Sequence, residues 1–132
     1  MSAPAPHALL RHRGPALLVS AVEDFRGDSL SCASRGSGPW RWPQMLEGAA
    51  QSAGLLAGLQ PGGVPNTALI AEYRDVVVHA AAHAGSIRFI ARLERRLLHF
   101  WRCSFEARAA DGTMLLEGSV TFAPGPSPPG GR

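Results

Sequence analysis

The sequence has no lysine: all 13 of its basic residues are arginine, against 10 acids, and the net charge is only +3. So small an excess excludes a dedicated nucleic-acid binder, though it permits weak attraction to an acidic partner. Cysteine is nearly absent. Cys32 and Cys103 lie far apart and form no CxxC pair, which excludes a disulfide framework or zinc-ligand spacing and predicts two buried thiols. No run of about 18 uncharged apolar residues marks a membrane span. Met1 to Leu10 lacks the basic-then-apolar order of a signal peptide. A soluble cytoplasmic domain is expected, with no cofactor and no metal.

What is present suffices for a core. With 132 residues, 45% of them hydrophobic, the chain fits one domain. That domain is expected over residues 1–123, ordered from about His7. The remainder, 124–132 (PGPSPPGGR), is expected to be a disordered Pro/Gly tail.

One helix is expected. Gln44 to Leu59 (QMLEGAAQSAGLLAGL) is Ala, Leu and Gly with a single charge, Glu47, and a helix apolar nearly all round is a buried one. Pro43 suits its first position, and Gln60-Pro61-Gly62-Gly63-Val64-Pro65-Asn66 ends it. Gly48, Gly54 and Gly58 lower its propensity but admit close backbone neighbours.

The remainder reads as strands. Leu17–Val22 and Ser29–Ala33 form one strand, or two short ones bent at Gly27. Thr67–His79 adds another. Three later stretches alternate with period 2, placing Ile87, Phe89, Ala91 and Leu93, then Trp101, Cys103, Phe105 and Ala107, then Leu116, Gly118, Val120 and Phe122 on one face. Asp111-Gly112 between the last two predicts a type I′ hairpin turn. The fold class is α+β: an antiparallel meander of about four strands whose apolar face only the helix can cover.

Few residues offer chemistry. Glu47, in the first turn, is favoured by the helix dipole; against a packed sheet it would be poised for acid–base work, and facing solvent it would be a plain helix-start carboxylate. His79 and His83 have i, i+4 spacing, but on a strand followed by a loop rather than on a helix. Trp40 and Trp42 bracket Arg41 and are either core plugs or the lining of a mouth beside Glu47. Arg88, Arg92, Arg95, Arg96, Arg102 and Arg108 fall mostly on the wet faces of two strands, as a solvated surface or as a dock for an acidic partner.

These residues carry a resemblance. Arg11-His12-Arg13-Gly14-Pro15-Ala16-Leu17-Leu18-Val19 is similar to the opening PHRxPxLLVD of the 3-hydroxyacyl-ACP dehydratases, and Met45 to Gly54 (MLEGAAQSAG) is similar to their central-helix IIEAxAQAAG. Glu47, Ala50, Gln51, Ala53 and Gly54 are in register. Tyr73 to Gly85 loosely resembles a later family segment, and Asp111 to Phe122 its last hairpin. The resemblance implies a hotdog fold, one long central helix wrapped by an antiparallel sheet. In that family the helix carboxylate protonates the departing 3-hydroxyl, a histidine of the facing subunit takes the α-proton, and a helix N-terminal N–H polarises the thioester oxygen. It implies Glu47 as the acid, the Gln44 amide as that donor, and Trp42, Gln44 and Gln51 as substrate-binding residues. The sequence departs from the family at its HFPGHPxMPG loop. Counted back from Glu47, Ala33 stands at the catalytic histidine, Gly36 at a glycine and Pro43 at the last proline. No histidine occurs between His12 and His79.

Three functions follow. The first is a dehydratase-like lyase acting on acyl thioesters in fatty-acid, polyene or polyketide synthesis, its base supplied by a second hotdog subunit or by a displaced His79 or His83. The second is a non-catalytic subunit that binds an acyl carrier protein. The third is a thioesterase using Glu47 to activate water. All three expect a homodimer or heterodimer and an acyl carrier protein or coenzyme A thioester as partner, with no nucleic acid and no membrane.

Overall fold

The computed structural model describes residues 17–61, 69–97 and 100–123. The opening motif around His12 and Arg13, His99 and the 124–132 tail lie outside them. Strands β1 (Val19–Phe25), β2 (Ser29–Ser34) and β3 (Trp40–Arg41) precede helix α1 (Trp42–Gly58). Then come β4 (Leu69–Val78), β5 (Ala82–His83), β6 (Ile87–Leu97), β7 (Phe100–Ala109) and β8 (Met114–Ala123). Six strands form one sheet in the order β1-β2-β6-β7-β8-β4, every adjacent pair antiparallel, and β3 pairs with β5 in a separate short ribbon.

The period-2 faces point as the alternation requires. Phe89, Ala91, Cys103, Phe105, Ala107, Leu116 and Val120 are buried against Met45, Ala49, Ala53, Leu55, Leu56 and Ala57 of the helix. The sheet curls around α1, so beyond its first turn and Glu47 the Ala/Leu/Gly helix is almost entirely buried as far as Ala57. No helix among the described residues is long and apolar enough to cross a membrane.

Several local expectations change. Gly27, at φ +83°, turns the chain so that β1 and β2 become antiparallel partners, Phe25 opposite Leu30, instead of one bent strand. At the β7–β8 hairpin only Gly112 has positive φ (+92°), and its N–H donates to the Ala109 carbonyl at 2.9 Å. The type I′ turn expected there needs two such residues; a turn with one left-handed residue after it is the three-residue alternative, and the Asp111 carboxylate braces it by accepting from the Thr113 N–H at 2.9 Å. The helix begins at Trp42, so Glu47 lies in its second turn and no acidic residue lies in the first.

Candidate active site

The site is built where β3 runs into α1. Trp40 pairs with His83 and Arg41 with Ala82, and the Trp42 N–H donates to the Ala81 carbonyl at 2.9 Å. The Trp40 indole is buried and donates to the Gly85 carbonyl at 3.1 Å. Trp42, by contrast, is 43% exposed. The two tryptophans thus divide the roles left open by the sequence: Trp40 is a core plug and Trp42 stands at the surface.

Helix α1 starts with four N–H positions that have no intrahelical acceptor. The N-cap Arg41 donates its N–H to a side chain, Trp42 spends its own on Ala81 and Pro43 has none, which leaves that of Gln44, since the Met45 N–H already bonds within the helix to the N-cap carbonyl. The Gln44 side chain folds back, its Oε1 accepting from the Arg41 N–H at 3.0 Å and holding the entering chain in place. Glu47 follows one turn later and is half-buried.

A group that the sequence reading missed stands near it. Tyr73, half-buried on β4, has its phenol pushed up to about 12, by burial first and by the negative charge of Glu47 second. The two side chains are therefore within electrostatic reach across the helix–sheet interface. Tyr73 stands in register opposite the buried Val120 of β8, which places it on the inner face; a bulge follows, where pairing shifts between Arg74 and Val77 and Asp75 takes φ +54°. The ring meets Phe105 edge-on, at 6.4 Å and 90°. The signal in sequence was slender, the only tyrosine of the chain.

The remaining candidates separate. Gln51 is buried, and its Oε1 accepts from the Leu18 N–H at 2.8 Å, tying the start of β1 to the helix. His79 pairs with Glu117 at 2.7 Å, both groups more than 40% exposed, on the outer side of the sheet. His83 is half-buried, beside the helix start and over Gly85. Its charge helps hold the Asp111 carboxyl below its usual value, after the hydrogen bonds from Thr113. The two histidines therefore do not share a site. Ala33, at the family's histidine position, is a residue of β2 paired with Arg88. Both thiols are buried, and burial pushes Cys32 up to about 11 and Cys103 to about 12, which suits packing and not nucleophilic work.

No family model matches the sequence, and no curated protein is similar to it. Solved structures are. The dehydratase heterocomplex ApeI:P from Xenorhabdus doucetiae matches with a TM-score of 0.78 at 16% identity, covering 93% of this chain and 92% of that one. The zebra fish thioesterase superfamily member 2 matches with a TM-score of 0.68 at 12% identity, over 80% of both chains. A hypothetical thioesterase with coenzyme A from Streptococcus pneumoniae matches with a TM-score of 0.63 at 10% identity, over 77% of this chain and 82% of that one. A helix buried in the curl of a large antiparallel sheet, shared with these proteins, defines the hotdog fold, and this chain has it.

Proposed function

We propose that the chain is a dehydratase-like hotdog subunit that binds 3-hydroxyacyl thioesters and acts together with a second hotdog subunit. The observation that carries this reading is the position of Glu47: half-buried, one turn beyond the helix N-terminus, on the only helix of the described residues. A thioester carbonyl placed at the Gln44 N–H would gain the partial positive charge of the helix start as the thioester becomes an enolate. Glu47 would then give its proton to the departing 3-hydroxyl. A base removes the α-proton, the C–O bond breaks, the C=C bond forms and water leaves. In this reading the base is a histidine of the second subunit or, within this chain, His83, which lies at the same end of the helix; His79, turned outward to Glu117, is the weaker choice. Trp42 would form the rim against the acyl chain or the carrier.

The second subunit has a place to pair. Strand β4 is an edge of the sheet, ten residues long, and Ile70, Val77 and Val78 on it are 42%, 46% and 40% exposed. So long an edge is normally covered. The likeness in shape to a dehydratase heterocomplex along nearly the whole chain supports the same arrangement.

A thioesterase reading draws on the similarity to thioesterases, one of them with coenzyme A. One assay separates the two: the purified chain, alone and with a histidine-bearing hotdog subunit, is given 3-hydroxyacyl and enoyl thioesters while double bond and free thiol are both followed. Hydration or dehydration that needs both subunits and is lost in Glu47→Gln supports the proposal. Thiol release by the chain alone moves it to the thioesterases. Activity unchanged in Glu47→Gln makes this a non-catalytic subunit.

A further inference from the structure

The arginines of β6 and β7 are not equivalent. Arg88 pairs with Glu23 at 3.2 Å, Arg92 and Arg108 share Glu106 at 3.5 and 2.9 Å, and Arg96 lies 4.5 Å over the Trp101 ring. Arg95 and Arg102 stand directly opposite each other on β6 and β7, and among the described residues neither has a carboxylate within ion-pair distance. The only polar contact of Arg102 among those residues is Thr121 Oγ1, at 3.5 Å. Two like charges facing each other across a ladder are destabilising by themselves. The nearby Glu94 carboxylate is turned to the Ser119 hydroxyl, which donates to it at 3.3 Å.

The pair lies in a cleft of about 360 Å³ lined by Ala71, Glu72, Arg95, Phe100, Arg102 and Thr121, a size at the lower end of small-molecule sites. Register makes four of these one row: Glu72 on β4 faces Thr121 on β8, Thr121 faces Arg102 on β7, and Arg102 faces Arg95 on β6. Three strand spacings put the ends about 14 Å apart at the backbone. Phe100, 46% exposed, gives the cleft an aromatic wall. One end therefore attracts an oxyanion, the other repels anions but accepts a donated hydrogen bond, Thr121 stands between them, and Phe100, two residues along β7 from Arg102, flanks the row with an apolar face.

We infer that this cleft is a second binding site, separate from Glu47, for a phosphorylated small molecule of the nucleotide type. The two guanidiniums take the phosphate, Phe100 takes the face of the ring, and Glu72 accepts from an amino or hydroxyl group. A free nucleotide and the nucleotide end of coenzyme A offer the same chemistry.

The test is titration of the full chain with AMP, adenosine, inorganic phosphate and coenzyme A, by calorimetry and by amide chemical shifts. AMP is expected to bind saturably and more tightly than phosphate or adenosine, with shifts centred on residues 71–72, 95, 100–102 and 121. Arg95→Gln and Arg102→Gln should each weaken AMP about tenfold, as loss of a charge-assisted hydrogen bond does. Glu72→Gln should weaken AMP while leaving phosphate unchanged. Both arginine variants replace surface side chains, and an unaltered melting transition certifies their fold. Tighter binding of coenzyme A than of AMP, lost in the same variants, identifies the thioester's nucleotide end as the occupant. No saturable binding of AMP or coenzyme A, or binding indifferent to Arg102→Gln, overturns the inference; phosphate and AMP binding equally would reduce it to unspecific anion attraction and overturn it too.

Discussion

Gly48 of the central helix lies directly beneath the ring of Phe89 on β6, so close that a methyl group on Gly48 would overlap Cζ and both Cε atoms of that ring. Phe89 is fully buried and also meets Trp40 edge-on at 6.1 Å, so the ring has nowhere to move. The helix thus lies on the sheet at a spacing that only glycine allows at this position. Gly48→Ala, which would improve helix propensity on an exposed surface, is expected here to destabilise the fold by about 1–3 kcal/mol through overpacking. Thermal or urea denaturation measures it. A stabilised Gly48→Ala variant would mean that the helix can lift without cost.

Gln51 makes a different kind of contact between layers, a buried amide oxygen accepting from the Leu18 N–H across the start of β1. Gln51→Leu keeps the volume and removes the acceptor, leaving a part-buried donor unpaired. A loss of about 1–3 kcal/mol is expected, with faster hydrogen exchange at Leu18 than at the β7–β8 core. If binding of a thioester falls while stability holds, Gln51 touches the ligand as the family resemblance implies.

Much of this arrangement was legible. The alternation of β6, β7 and β8 and the uncharged helix forced a sheet with one dry face and a single cover for it, and both are there. What could not be read came from long-range geometry. The turn at Gly27 was visible as a break, but only pairing of Phe25 with Leu30 makes it a hairpin. Tyr73 lies on the inner face, within reach of the charge of Glu47, because β4 pairs with β8 so that Tyr73 stands opposite Val120, a long-range register that no local pattern announces. His79 and His83 share helical spacing in the sequence, yet a strand end lies between them and sends one to the outer face. The arginines could be assigned to a wet face but not paired, because their carboxylates come from β1 and β7.

Alkaline pH should weaken the fold. Burial raises Cys32 from its usual 9.0 to about 11, Cys103 from 9.0 to about 12, and Tyr73 from 10.0 to about 12. An acid whose folded value is raised keeps its proton longer in the folded state. Its stabilisation is therefore complete below the unfolded value and is lost as pH climbs through the folded one. The urea midpoint is expected to hold up to pH about 9 and to fall steadily from there to about 12. Below that window both thiols should be inert to a thiol reagent until the chain unfolds.

The electrostatic influence of Glu47 on Tyr73 can be read directly, because the chain has one tyrosine and its ionisation is visible in the ultraviolet. The phenol is raised first by burial and second by the carboxylate. Glu47→Gln removes the charge and leaves the burial, so the Tyr73 transition should move down from about 12 while staying above the usual 10.0. Tyr73→Phe should abolish the transition without lowering stability, since the ring still meets Phe105. The same two variants then bear on chemistry. If Glu47 is the acid and Tyr73 only shapes its surroundings, Glu47→Gln should cut turnover by about two to four orders of magnitude, as general acid loss does, and Tyr73→Phe should chiefly shift the pH profile. A Tyr73 transition that ignores Glu47→Gln would mean the carboxylate points away from the sheet, and the acid role assigned to it would fall with that result.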